Sequence, residues 1–344
     1  MQMADAQRNR SRRHEIPHVA DSGRSSGEVP VAEELHRNTD QSEEKESVMA
    51  AQCALIMINN LSRQGENSID PVVRILKNKG IDSIIVCLDR MEDISRLINR
   101  YQKDIDRIVI GGGDGTLNAA VKPVLESGLP LGILPLGTAN DLARTLGIPV
   151  GLEDAAEVLA GGRIGMIDIG VVNDIYFLNA ASIGLAVGVT HMLDRGIKKR
   201  WGGLAYPIAF FKAFRYTRAF LVQISCDGVN HRHKSIHLTV ANGRHYGRGL
   251  TVRDDAEIDD QKLHCYSLEP QSFWQLFKAA PSIVKGTFVN PENIKLFEGR
   301  RIDIITRRPK QIAIDGELMG QTPAYFSIKD RILPVFVPAE TPPR

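Results

Sequence analysis

From Cys53 to Leu146 short apolar runs alternate with stretches whose apolar residues recur at helical spacing, and this alternation limits the fold more than any other feature. The runs are Cys53–Ile58, Ile84–Leu88, Ile108–Ile110 and Leu131–Leu136; Asp70–Asn78, Ile94–Tyr101, Thr116–Glu126 and Asn140–Leu146 follow them in turn. Each intervening stretch is long enough for a right-handed crossover, which predicts βαβ units and a doubly wound parallel sheet. Beyond Gly162 the texture changes. Met166–Val172, Tyr176–Ala180, Ala219–Ser225, Ser235–Ala241, Lys262–Ser267, Asn293–Phe297, Arg301–Thr306 and Gln311–Ile314 read as strands separated by turn residues. Helical character interrupts them only near 202–216 and 272–285. Strands in series predict an antiparallel β-sandwich.

Two domains are therefore expected: an α/β domain over 51–163, rejoined by 326–344 with a final strand at Ile332–Val337, and a β-sandwich domain over 164–325. Met1–Ala50 has no Phe, Trp or Tyr, too little apolar surface to offset the entropy of ordering, so a disordered polar extension is expected there. The 344 residues carry 43 Lys and Arg against 41 Asp and Glu, a balance that excludes a strongly basic nucleic-acid binder as a description of the whole chain. No apolar run reaches the roughly 18 residues a membrane span needs, and the N-terminus shows no apolar signal-peptide core. The four cysteines are widely spaced, which fits a reducing, cytoplasmic compartment.

Chemistry concentrates in Gly111-Gly112-Gly113-Asp114-Gly115-Thr116-Leu117-Asn118, placed where the strand Arg107–Ile110 turns into a helix. Glycines there let backbone N–H groups approach an anion, and the helix start adds a favourable dipole. The run is neither a P-loop, since no GKS or GKT follows, nor a GxGxxG fingerprint, since Asp114 interrupts it. An acid among phosphate-binding amides suits holding Mg²⁺, accepting a sugar hydroxyl or fixing the loop. A second glycine turn, Pro135-Leu136-Gly137-Thr138-Ala139-Asn140-Asp141, follows the next strand, so both loops open on the crevice at the carboxyl ends of the strands. Near the C-terminus, Asp315-Gly316-Glu317 ends the strand Gln311–Ile314. On the residues alone Asp-Gly reads first as an ordinary hairpin turn; two carboxylates one residue apart could also supply a base and its positioning partner.

The GGGDGTLN loop, the later PLGTANDLARTLGIP and the C-terminal DGE together resemble the diacylglycerol kinase catalytic domain family, in particular its bacterial soluble lipid kinases, over roughly Ala54–Pro338. The resemblance implies an ATP-dependent kinase acting on a hydroxyl of a lipid such as diacylglycerol. ATP contacts would come from Asn59, Gly112, Gly113, Asp114, Gly115, Thr116, Leu117, Asn118 and Thr138. The catalytic base would be Asp315 or Glu317, which the motif alone does not separate. The family's structural Mg²⁺ would fall to the side chain of Asp260 and the carbonyls of Glu257 and Lys262, in a turn where Gln261 replaces the usual glycine. At the first strand the family's Asn-Pro-x-Ser-Gly reads Asn59-Asn60-Leu61-Ser62-Arg63-Gln64-Gly65, and Cys87 stands where a nucleotide-contacting Thr is usual.

Arg195–Tyr216 combines basic and aromatic residues, suited either to transient contact with the inner face of the membrane or to covering the sandwich. His231, His233, His237 and His245 lack acidic or cysteine partners at ligand spacing and read as an exposed hairpin rather than zinc ligands. Two alternatives stay open: a kinase of a soluble substrate such as NAD, and a catalytically silent lipid-binding relative. Partnership with a second copy, giving a homodimer, is also open.

Overall fold

The computed structural model describes residues 52–60, 69–192, 205–243, 245–246, 250–251, 257–270 and 294–339. The extension expected over 1–50, the helical stretch at 272–285 and much of the basic segment before Ala205 lie outside them. Met49–Arg344 forms one compact unit.

The first half alternates as the apolar runs require: β1 (Gln52–Asn59), α1 (Ile69–Asn78), β2 (Ile81–Leu88), α2 (Asp93–Tyr101), β3 (Arg107–Gly112), α3 (Asp114–Ser127), β4 (Leu131–Pro135), α4 (Asp141–Thr145) and α5 (Leu152–Gly161). The strands pair in parallel in the order β2-β1-β3-β4. β3 and β4 are buried throughout, because α1 and α5 pack together against one face and α2 and α3 against the other. α5 was not expected from the sequence. Its buried stripe is Ala155, Ala156 and Leu159, two of the three too small to raise a clear apolar period.

The second half runs β5 (Arg163–Val172), β6 (Ile175–Phe177), β7 (Ala180–Gly184), α6 (Leu185–Met192), α7 (Ala205–Tyr216), β8 (Phe220–Cys226), β9 (Val229–Ser235) and β10 (His237–Ala241). Two short strands follow, β11 (His245–Tyr246) and β12 (Leu250–Thr251), then β13 (Leu263–Leu268), β14 (Ile294–Gly299), β15 (Arg301–Thr306), β16 (Gln311–Ile314), β17 (Glu317–Gln321) and β18 (Ala324–Val337). β14-β13-β10-β7-β16-β17 form an antiparallel sheet. Its inner face, with Ile183, Leu238, Val240, Ile312 and Ile314, packs on Val222, Ile224, Ile302, Ile304 and Phe326 of the opposing strands. That is the sandwich core. Phe177 meets Phe326 edge to face at 6.1 Å inside it.

The opposing strands are not a separate sheet. β18 pairs in parallel with β4 at Val335 and antiparallel with β15 at Arg301–Ile304, so the parallel sheet continues through β18, β15, β8 and β9 as one mixed sheet. β18 starts eight residues before the expected strand at Ile332; its first part alternates buried and exposed positions, and a register shift between Lys329 and Leu333 breaks the pattern. The histidine expectation also needs correction. His231 is exposed, but His233 is buried, donating or accepting across 2.7 Å with Ser267 Oγ and stacking on Phe297. His237 is buried between Ile183 O and Tyr266 Oη, where desolvation lowers its pKa to about 4.

Candidate active site

Three loops meet at the carboxyl ends of β3 and β4. Gly113 caps α3 in an extended conformation and its carbonyl accepts from the N–H groups of Thr116 and Leu117 at 3.0 Å, so the orphan donors of this helix start are the N–H groups of Asp114 and Gly115. The second glycine turn lies backbone to backbone against this one. A Cβ at Gly137 would come within 2.4 Å of Gly113 Cα, and one at Gly113 within 3.1 Å of Gly137 Cα, so both positions need glycine. Asn140, in a left-handed conformation (φ 52°), holds the turn: its Oδ1 accepts from Gly137 N at 2.9 Å and its Nδ2 donates to Pro135 O and Gly137 O at 3.1 Å. Thr138 is exposed at the tip of this turn.

Of the residues expected at the nucleotide, Asn59 and Thr116 come together: Asn59 Nδ2 donates to Thr116 Oγ1 at 2.9 Å and ties β1 to α3. A Cβ at Gly112 would collide with the Thr116 side chain at 2.7 Å, and Gly115 faces outward. Leu117 is different: its side chain is in the core beneath the helix, and only its backbone belongs to the loop. Asn118, with its amide oriented to satisfy its neighbours, donates to Asp315 Oδ2 at 3.3 Å and to Tyr176 O at 3.2 Å. Asp114 is committed as well. Its Oδ2 accepts from Asp141 N at 3.2 Å, and its Oδ1 from Leu142 N at 3.1 Å and Asn179 Nδ2 at 3.3 Å, so it caps α4 and fastens the α/β layer to the loop before β7. Asn140 and Asn179 were not expected as site residues. Asn140 stood inside the quoted motif; Asn179 carries no sequence signal.

The two acids of the DGE turn occupy unlike environments. Asp315 Oδ1 accepts from the backbone N–H of Asn179 and Ala180, both at 2.9 Å, and Oδ2 from Leu178 N at 2.8 Å. Its own N–H donates to Ala180 O at 2.9 Å. Desolvation, with a smaller contribution from nearby Asp114, outweighs these donors and raises its pKa to about 6. Glu317 is exposed at the start of β17, with Oε1 3.4 Å from where a Cβ would stand on Gly115. One carboxylate is thus built into the frame, and the other is open above the start of α3.

The Glu257–Lys262 turn keeps the left-handed conformation that glycine would favour, because Gln261 adopts it (φ 62°) with its N–H on Asp168 Oδ2 at 2.7 Å and its Oε1 accepting from Arg300 at 3.1 Å. Asp260 accepts from Glu257 N, Lys262 N and His264 Nε2, the last at 2.8 Å. Lys262 directs its Nζ to Glu298. Asp260 Oδ1 accepts one of these bonds and Oδ2 the other two, and the carboxylate shares its turn with the carbonyls of Glu257 and Lys262, an oxygen set of the kind Mg²⁺ takes.

The chain has relatives among known proteins. Residues 53–172 match the family described as "Diacylglycerol kinase catalytic domain", and residues 179–337 the "YegS C-terminal NAD kinase beta sandwich-like domain". Proteins of Staphylococcus aureus strains JH9 and Newman, both named "Putative lipid kinase", are 30% identical over 233 residues, 66% of this chain and 76% of theirs. A crystal structure of "a putative diacylglycerol kinase from Bacillus anthracis str. Sterne" superposes with a TM-score of 0.71 at 25% identity, covering 83% of this chain and 97% of that one. The chain belongs to the diacylglycerol kinase catalytic domain family.

Proposed function

We propose that the protein transfers the γ-phosphoryl group of MgATP to a hydroxyl of a membrane lipid, with Glu317 as the proton acceptor. The observation that carries this reading is the contrast between the two acids: Asp315 spends its oxygens on three backbone N–H groups, whereas Glu317 stands open beside Gly115 at the start of α3. The Mg²⁺ arrives with its nucleotide as substrate. The phosphates rest on the N–H groups at the start of α3, and Asn59 and Thr116 shape that end of the cradle. The lipid hydroxyl loses its proton to Glu317 as its oxygen bonds to the γ-phosphorus, and the bond from that phosphorus to the β–γ bridging oxygen breaks to release ADP. Asp315 and Asp114 are positioning residues. Through Asn118 and Asn179 they fix α3 against the loop before β7, so the cradle and the base keep one geometry.

The test is labelling of a total lipid extract, and in parallel of diacylglycerol and NAD, with γ-³²P-ATP. Glu317→Gln is expected to lower turnover about 10²- to 10⁴-fold at unchanged thermal stability. Label appearing only in NAD favours the soluble-substrate alternative, and no label in any acceptor favours a silent binding protein.

A further inference from the structure

We propose that one corner of the sandwich, where the end of α7, the starts of β8 and β16 and the ends of β9 and β15 converge, is a docking surface for an anionic lipid bilayer. The inference rests on the lipid-kinase reading for its purpose but not for its geometry. α7 buries Ala209 and Ala213, the latter 3.3 Å from a Cβ on Gly188 of α6, and exposes Lys212 and Arg215 three residues apart. Arg218 follows in the link to β8, exposed. From the other side the β15–β16 loop brings exposed Arg307 and Arg308, with Lys310 Nζ 4.9 Å over the ring of Phe220, the first residue of β8. Pairing of Leu221 with Lys234 and of Val222 with Thr306 places the end of β9 and the end of β15 at the same corner.

Seven cations therefore gather here, and none forms an ion pair with a carboxylate among the described residues. The segments that build the corner, 205–226, 228–243 and 304–314, contain no Asp or Glu, although the chain as a whole carries a net charge of only +2. So one-signed a patch in a nearly neutral chain creates a field that attracts a polyanionic surface. Apolar groups are interleaved with the charge: Tyr216 is 67% exposed at the end of α7 and Ile305 is 43% exposed at the end of β15. A ring and an aliphatic chain among cations suit the headgroup boundary of a bilayer, and a nucleic-acid backbone would offer neither a home. Placement supports the same occupant. The loop 307–310 and the turn at Asp315 lie at opposite ends of the four-residue β16, so the corner is about 13 Å from the acceptor site.

The experiment is sedimentation of the full chain with phosphatidylcholine vesicles, with and without phosphatidylglycerol, in low and high salt and without ATP. Binding is expected only to the anionic vesicles and is expected to weaken as salt rises. Two charge-reversed variants, Arg307→Glu/Arg308→Glu and Lys212→Glu/Arg215→Glu, are each expected to weaken it at least about tenfold, with unchanged circular dichroism and unchanged turnover on detergent-dispersed lipid. Equal binding to neutral vesicles, anionic binding that survives both reversals, or tighter binding to duplex DNA than to the vesicles overturns the proposal. Because binding is read without nucleotide, it is decided separately from whether the protein phosphorylates lipid.

Discussion

Asp315 and Glu317 carry the same carboxylate in unlike surroundings, and those surroundings set what each substitution does. Asp315→Asn replaces one acceptor oxygen with a donor facing Leu178 N–H, which costs about 1–3 kcal/mol of stability as well as activity. The pH dependence has a definite sign. The folded pKa of Asp315, about 6, lies above its ordinary value of 3.8. Its contribution to stability is therefore full below that ordinary value and is lost as pH rises through 6, by about 3 kcal/mol. Because His237 works against it over the same range, the loss is read as a difference: in denaturant titrations at pH 4 and pH 7 the wild type is expected to lose stability relative to Asp315→Asn as pH rises, and a difference that stays constant would contradict it. His237 acts in the opposite sense: its pKa, lowered from 6.5 to about 4 by burial, makes stability fall as pH drops below 6.5. The sequence made both acids of the DGE turn visible but could not separate them. The donors that hold Asp315 come from Leu178, Asn179 and Ala180, brought near only by the pairing of β16 with β7.

At the scale of elements, the site depends on two glycine loops in contact. Gly137→Ala would drive a methyl carbon to within 2.4 Å of Gly113 Cα, so the loops must separate. About 1–3 kcal/mol of stability is expected to be lost, read as a lower denaturant midpoint, together with weaker nucleotide binding by calorimetry; an unchanged midpoint would contradict the packing described. The glycine loops and most strands around them were legible because they sit in runs with clear apolar periods and turn residues. α5 was not, because it buries mainly alanine; β9 (Val229–Ser235) was legible as one arm of a hairpin, but its polar series gave no sign that His233 turns inward once β8 and the facing sheet cover it.

Across the whole molecule, the change in texture near Gly162 marks a real shift from alternating to serial strands, yet it does not divide the hydrogen-bonded sheet. β5 and β18 pair from Val172 with Phe326 to Arg163 with Val337, and β18 also reaches β4 and β15. Such long-range pairing leaves no local signature. It does carry a consequence for unfolding: a sheet shared by both halves favours one cooperative transition, and removal of residues 326–344 is expected to expose the edge of β4 and yield an aggregating chain. Two well-separated calorimetric transitions would contradict this. The central claim is that the open carboxylate of Glu317 removes the proton from a lipid hydroxyl. Its most direct measurement is transfer of ³²P from γ-labelled ATP into extracted lipid by the wild type and by Glu317→Gln at matched folding. Labelled phospholipid from the wild type and a loss of 10²-fold or more in the variant are expected; equal labelling by both would contradict the account.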